Sequence, residues 1–389
     1  MKPSKRLNGI GEYYFSAKLR EIDLLNQQGK NVINLGIGSP DQPPHPDVIK
    51  TLQEESAKPT VHGYQSYKGI PVLRQAMGQW YEKWYGVKLD PLNEILPLIG
   101  SKEGIMHICM AFLNKNDEAL VPDPGYPTYS SAVQLAGGTA RPYDVNSLDD
   151  QKGFDKLGKK DLKNVKLMFV NYPQMPTGKL PDQNLFERLI KFGTKNNILI
   201  VHDNPYSFIL NEKPMSILSV PNAMKTAIEL NSLSKSHNMA GWRVGMLCGS
   251  GDIINEVLRF KSNMDSGMFM PIQLAAAKAL SLGKEWYDQV NMVYKERREK
   301  VYELLDVLGC NYDKKQAGLF VWAKTPSSFK NGYELSDALL NKTSVFITPG
   351  GIFGKRGKDH IRLSLCATVE KLNLAIDRIK KEIDNLSKS

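Results

Sequence analysis

The sequence predicts an α/β protein with a large domain, whose mostly parallel central sheet is flanked by helices, and a smaller α+β domain. From Glu94 to Gly249 short apolar runs alternate with helical patterns, the rhythm of parallel strands joined by crossover helices. Five of those runs end in clusters of Gly, Pro, Asp or hydroxyl residues, and open α/β sheets bind ligands beyond the carboxyl ends of their strands. After a long helical stretch, about Lys284 to Leu308, the pattern changes to short strands and helices. A chain of 389 residues has room for both domains. The expected division is an N-terminal arm (1–30), a large domain (46–284) and a small domain assembled from 31–45 and 285–389.

Composition narrows the function. An apolar share of 41% with 9% aromatics is that of a globular protein with a large core. No apolar run is long enough to span a bilayer, and the start, Met1 to Arg6, leads into a mixed polar segment instead of a signal core. Cys109, Cys248, Cys310 and Cys366 lie far apart with no Cys-x-x-Cys pair. Neither a metal nor a disulfide is expected, and a reducing, cytoplasmic setting fits. The net charge of +10 is spread over mixed-sign helix faces such as Lys295 to Lys300. Nucleic acid and membrane are therefore not expected partners, whereas anionic small molecules suit a positive field.

The elements follow in order. Residues up to about 30 form an amphipathic arm with Tyr13, Tyr14 and Phe15 at its start. Val32 to Leu35 reads as a strand running into a Gly/Pro turn, where Gly38 could bring bare backbone to a ligand. Tyr64-Gln65-Ser66-Tyr67-Lys68-Gly69 opens a helix over Val72 to Trp84. Ile95 to Ile99 ends at Gly100-Ser101-Lys102-Glu103-Gly104, and the helix that follows, about Ser101 to Leu113, offers N-terminal N–H groups to a phosphate. Ala119 to Val121 ends at Pro122-Asp123-Pro124-Gly125-Tyr126. Val165 to Val170 ends at Asn171-Tyr172-Pro173, and Ile198 to Val201 at His202-Asp203-Asn204-Pro205-Tyr206.

The fifth run ends at Ser232-Leu233-Ser234-Lys235, with Arg243 eight residues on in Gly241-Trp242-Arg243-Val244-Gly245. A lysine held away from bulk water with a lowered pKa can form an imine with a carbonyl. Ser232, Ser234 and Arg243 supply the hydroxyls and guanidinium fork that a phosphate wants. In the small domain, strands are expected at Gly318 to Ala323, Val345 to Thr348 and Ile361 to Leu365, with helices at Tyr333 to Asn341 and from Val369. Arg362 sits inside the last strand, where an arginine without a carboxylate partner would be a costly buried charge.

These segments, in this order and spacing, closely resemble the class I/II aminotransferases, pyridoxal 5′-phosphate (PLP) enzymes of fold type I. The resemblance runs from about Ile33 to Leu365. It implies that Lys235 carries the cofactor as a Schiff base. It further implies that Ser101, Lys102, Glu103, Ser232, Ser234 and Arg243 belong to the cofactor site. Tyr126 would stack on the pyridine ring, Asp203 would face its nitrogen and Tyr206 its phenolic oxygen. Gly38 and Arg362 match the substrate-carboxylate positions. Tyr64 matches a tyrosine that reaches the neighbouring subunit's phosphate, which implies a homodimer with shared active sites. The segment Ser262 to Phe269 and Gly-Ser-Lys-Glu-Gly look most like the branch holding LL-diaminopimelate, alanine and aromatic aminotransferases. There Asn263 and Ser266 would help form the partner's site.

One motif departs from the family. Asn171 to Gly178 matches Asn-x-Pro-x-Asn-Pro-Thr-Gly except that Met175 replaces the second asparagine. A thioether cannot donate a hydrogen bond, so the usual donor to the phenolic oxygen is expected to be missing. The reading is an aminotransferase moving an amino group between an L-amino acid and a 2-oxo acid. Tyr13, Tyr14 and Tyr126 favour aromatic or broad specificity. LL-diaminopimelate or aspartate-type specificity is the alternative, as is another fold type I reaction such as C–S lysis or decarboxylation.

Overall fold

A computed structural model describes residues 1–12 and 14–386, with side chains described up to residue 383. The strands in chain order are β1 (Ile33–Asn34), β2 (Ile95–Leu98), β3 (Glu118–Asp123), β4 (Thr139–Asp144), β5 (Val165–Asn171), β6 (Leu199–Asp203), β7 (Ala227–Ser232) and β8 (Gly245–Cys248), followed by β9 (Asn311–Tyr312), β10 (Phe320–Lys324), β11 (Val345–Phe346), β12 (Thr348–Pro349) and β13 (His360–Ser364). Seven of them form the central sheet in the order β2-β8-β7-β6-β5-β3-β4. Pairing is parallel from β4 to β7; only β8 runs against its two neighbours. The α/β class and its mostly parallel sheet are as expected.

Both faces of this sheet are covered, which explains why its strands read as unbroken apolar runs. In β5, Leu167 and Phe169 pack into one core, while Met168 and Val170 turn into the other. Helices Ser101–Phe112 and Gly251–Lys261 close one face through Ile105, Ile108, Ile254 and Val257. Helix Gln183–Asn196 packs on the opposite face through Phe186 and Leu189.

Helix limits follow local chemistry. Pro71 occupies the first turn of helix Pro71–Tyr85, and Gly86, at φ 67°, ends it in the left-handed conformation. The chain then leaves the sheet through helix Lys284–Val307 and builds a four-stranded antiparallel sheet in the order β12-β13-β10-β9. The expected single strand Val345 to Thr348 is instead two pieces: β11 pairs with β1, and β12 pairs with β13. The stretch after β1 joins the second sheet as well, since Ser364 N–H donates to Leu35 O at 2.7 Å. The turn bearing Gly38 is thereby fixed beside β13, which carries Arg362. A bidentate pair from Arg297 to Asp41, 2.7 and 2.8 Å, anchors the same turn to the long helix.

Candidate active site

A cavity of about 520 Å³ opens beyond the carboxyl ends of the parallel strands. Lys235 lies one turn past β7, and its Nζ donates to Gly38 O at 2.6 Å. Desolvation lowers the pKa of this amine to about 8, and the positive charges of Arg362 and Arg243 act in the same sense. The lysine thus becomes neutral, and nucleophilic, at a far lower pH than an exposed amine does.

Asp203 ends β6 and is buried. Its Oδ2 accepts from the Tyr129 hydroxyl at 2.7 Å, while Oδ1 has no hydrogen-bond partner among the described residues. Burial raises its pKa to about 6. Asn171, at the end of the adjacent β5, bridges the two loops: its Nδ2 donates to Asp203 O at 2.6 Å and its Oδ1 accepts from Met175 N–H at 2.7 Å. Tyr206 lines the same wall, where burial keeps its phenol protonated and able to donate.

Opposite lies an anion cradle. The Ser232 hydroxyl meets Ser234 Oγ at 2.9 Å, and Arg243 reaches Ser234 Oγ at 3.5 Å. Ser101 and Lys102 line the cavity from the first turn of helix Ser101–Phe112. Gly100, at φ 79°, makes that turn, and a side chain there would collide with the Arg243 guanidinium. Tyr126 also lines the cavity, edge-on to Tyr129.

Arg362 enters from β13. Its guanidinium carbon sits 3.7 Å from the Phe320 ring centroid and 4.5 Å from that of Phe353, and its Nη2 donates to Gly36 O at 2.8 Å. A Cβ at Gly38 would fall within the Phe320 ring, so a glycine is what lets the backbone lie against it.

A family model for aminotransferase class I and II matches residues 30–379. The chain belongs to the class I and II aminotransferases. The LL-diaminopimelate aminotransferase of Natranaerobius thermophilus is 39% identical over 385 residues, covering 97% of this chain and 99% of the relative. That of Aquifex aeolicus is 37% identical over 383 residues, covering 97% and 98%. Among solved structures, substrate-bound BacF from Bacillus subtilis superimposes with a TM-score of 0.92 at 34% identity, covering 98% of each chain. The aromatic aminotransferase of Pyrococcus horikoshii gives 0.85 at 28%, covering 92% and 96%. The protein is accordingly a PLP-dependent aminotransferase acting on amino acids and 2-oxo acids.

The residues present fit that cofactor. An aminotransferase needs a carboxylate against the protonated ring nitrogen, and the buried, unpartnered Oδ1 of Asp203 is an acceptor waiting for a donor. The cradle of hydroxyls, guanidinium and helix N-terminus suits a phosphate. The Lys235 amine lines the same cavity.

Not every expected residue meets there. Glu103 does not line the cavity: its Oε1 accepts from Ile99 N–H at 2.7 Å, bracing the Gly100 turn. Asn263 is exposed and donates to Arg259 O at 2.8 Å, within its own helix end. Tyr64, which like Asn263 is expected at the neighbouring subunit's site, is 95% exposed and lies off this chain's own cavity. Tyr13 lies outside the described residues.

Three contributors went unread. Tyr129 follows Tyr126 by three residues, nearly one helical turn, so a second aromatic group at that strand end was a usable signal. Phe320 reads as an ordinary core residue of an apolar strand. Its role comes from register: Trp322 pairs with Arg362, and Phe320 is the diagonal neighbour on the same face. Phe15 closes the cavity from helix Tyr14–Gln27.

Proposed function

We propose that Lys235, Asp203, Tyr206, Arg243 and Arg362 carry the reaction, and that the amino donor is an aromatic amino acid or one of a broad apolar set. The bound cofactor supplies an electron-withdrawing ring that stabilises negative charge at the α-carbon of the amino acid. Asp203 would face the ring nitrogen and hold its proton by opposite charge. Tyr206 would donate to the phenolic oxygen, Tyr126 would pack on the ring face, and Ser101, Lys102, Ser232, Ser234 and Arg243 would take the phosphate. Arg362 and the backbone at Gly38 orient the substrate carboxylate. The Lys235 amine, in its neutral form, takes and returns the proton at the α-carbon.

The observation that carries the specificity is the apolar lining beside Arg362. Phe15, Ile37, Met175 and Phe320 form it. A second reading, LL-diaminopimelate, rests on the relatives at 37–39% identity that bear that name. Initial rates with a panel of amino acids and 2-oxoglutarate separate the two readings. Phenylalanine or tyrosine should outpace LL-diaminopimelate in kcat/KM, and the reverse order would move the assignment to the second reading.

The cavity is lined both by Phe320, Arg362, Ile37 and Gly38 and by the cradle residues Ser101, Ser232, Ser234 and Arg243. This supports a small domain of 31–45 and 285–389 against a large one of 46–284, with 1–30 as an arm. We read the working unit as a homodimer in which Tyr64 and Asn263 serve the partner's site. Four free cysteines, three of them buried, favour a cytoplasmic location.

A further inference from the structure

Successive residues of a strand point to opposite faces of its sheet. Asp203 lines the cavity, and His202 before it turns the other way, its ring 5.1 Å from that of Phe186. There His202 meets Glu229 of β7; both are wholly buried, and Nδ1 lies 2.7 Å from Oε2. The same oxygen accepts from the Ser216 hydroxyl at 2.9 Å and from Ile217 N–H at 3.1 Å. Oε1 accepts from the Tyr81 hydroxyl at 2.9 Å and from Asn204 Nδ2 at 3.4 Å. The second ring nitrogen of His202, Nε2, lies 3.2 Å from Tyr172 O. A carbonyl can only accept, so Nε2 donates. The Ile217 N–H can only donate, and so can Asn204 Nδ2, whose direction is set by its 2.9 Å bond to Met215 O. Glu229 is thus an acceptor on both oxygens, and Nδ1 donates to it as well. An imidazole that donates from both nitrogens is the imidazolium.

We infer that His202 is a positioning residue: clamped by Glu229, it fixes the end of β6 and places a positive charge behind Asp203. The inference rests on the reading of Asp203 as the partner of the ring nitrogen. The clamp reaches the segments that set that carboxylate. It ties β6 to β7 and, through Tyr172 O, to the loop after β5, where Asn171 Nδ2 donates to Asp203 O at 2.6 Å. On the other side of Asp203, Asn204 is held by Glu229 and by Met215 O. Burial works against an ionised Asp203. The Tyr129 hydrogen bond and the His202 charge favour the carboxylate, and the His202 charge outweighs the opposing charge of Glu229. The other titratable groups of the cavity, Tyr126, Tyr206, Lys102, Lys235, Arg243 and Arg362, stay the same in every variant compared below.

The test follows wild type, His202→Gln, His202→Asn and Glu229→Gln, each with and without Asp203→Asn. Solid-state ¹⁵N spectra of histidine-labelled protein read the His202 ring, whose signals are those that vanish in both His202 variants. Wild type should show two N–H nitrogens at neutral pH, and Glu229→Gln only one. Urea unfolding of the cofactor-free proteins then reads Asp203, as the stability each chain loses with rising pH relative to its Asp203→Asn counterpart. Without the cation the folded carboxyl should keep its proton longer, so in both His202 variants this loss should move upward by about one pH unit. In holoenzyme carrying ring-¹⁵N PLP, the ring-nitrogen signal should move toward the unprotonated pyridine value in the same variants. A wild-type His202 ring with a single N–H would overturn the inference. So would His202 variants that lose equal stability at every pH and leave the ring-nitrogen signal in place, since His202 would then only pack. Asp203→Asn alone separates the premise. If it leaves the ring-nitrogen signal unchanged, the reading of Asp203 has failed; if it moves the signal while the His202 variants do not, only the inference about His202 has failed.

Discussion

Burial acts on Lys235 and Asp203 in opposite chemical senses. It strips the amine of its proton and presses one onto the carboxylate, because in each case the charged form is the one disfavoured. For Lys235 the consequence is kinetic. Cofactor-free enzyme should capture added PLP at a rate that climbs with pH up to about 8 and then levels off, as the amine becomes neutral. Stopped-flow absorbance reads this, and a rate independent of pH between 6 and 9 would contradict it. Borohydride should fix the cofactor to the Lys235 peptide in wild type, and Lys235→Ala should leave no such adduct. For Asp203 the consequence is thermodynamic. Its folded-state pKa lies above the ordinary 3.8, at about 6, so between those values the folded cofactor-free chain holds a proton that the unfolded chain has released. That stabilisation is complete below about 4 and lost as pH rises through 6, by roughly 3 kcal/mol. Asp203→Asn should show no such loss when urea unfolding of the cofactor-free proteins is compared from pH 4.5 to 7. Parallel curves for the two proteins would place the titrating group elsewhere.

At the scale of elements, the Gly100 turn decides how helix Ser101–Phe112 presents its first N–H groups. A left-handed φ favours glycine, and a side chain there would have room only if the Arg243 guanidinium moved. Gly100→Ala should therefore displace the guanidinium and weaken PLP binding at least tenfold, measured by equilibrium dialysis, with the far-ultraviolet dichroism unchanged. Equal affinity would mean that the turn is no part of the phosphate cradle. Most elements of this kind were legible, because local chemistry writes them: proline at a helix start, glycine at its end, a polar cluster at a strand's carboxyl end. Lys235, Asp203, Arg243 and Arg362 could be read for that reason. The division of Val345 to Thr348 between two sheets could not, because periodicity records which residues are apolar and not which strand they pair with. Phe320 and Tyr129 escaped for a related cause. An aromatic residue that packs and one that faces a cofactor site look alike until register and helix phase bring Arg362 and Asp203 beside them. Glu103 stands in the expected motif, yet its carboxylate is engaged by the backbone of its own turn.

On the scale of the whole molecule, Tyr64, Tyr67, Met264 and Phe269 leave large apolar groups in solvent, with exposures of 95, 46, 53 and 40%. Exposed apolar residues of this size suit contact with a second copy, in line with the proposed dimer. Tyr64→Phe subunits mixed with Lys235→Ala subunits should then give hybrids with one site carrying both defects and one carrying neither. Activity should return on mixing, and confirmed hybrids without recovery would argue for self-contained sites. The central claim is that the enzyme keeps the amino group and passes it on, in contrast to an elimination that discards it. The most direct measurement uses a ¹⁵N-labelled amino acid in a single turnover, followed by addition of a 2-oxo acid. The account predicts that the label stays with the protein after the first 2-oxo acid leaves and is recovered in a new amino acid once the acceptor is added. Label released as free ammonia, with no acceptor required, would contradict it.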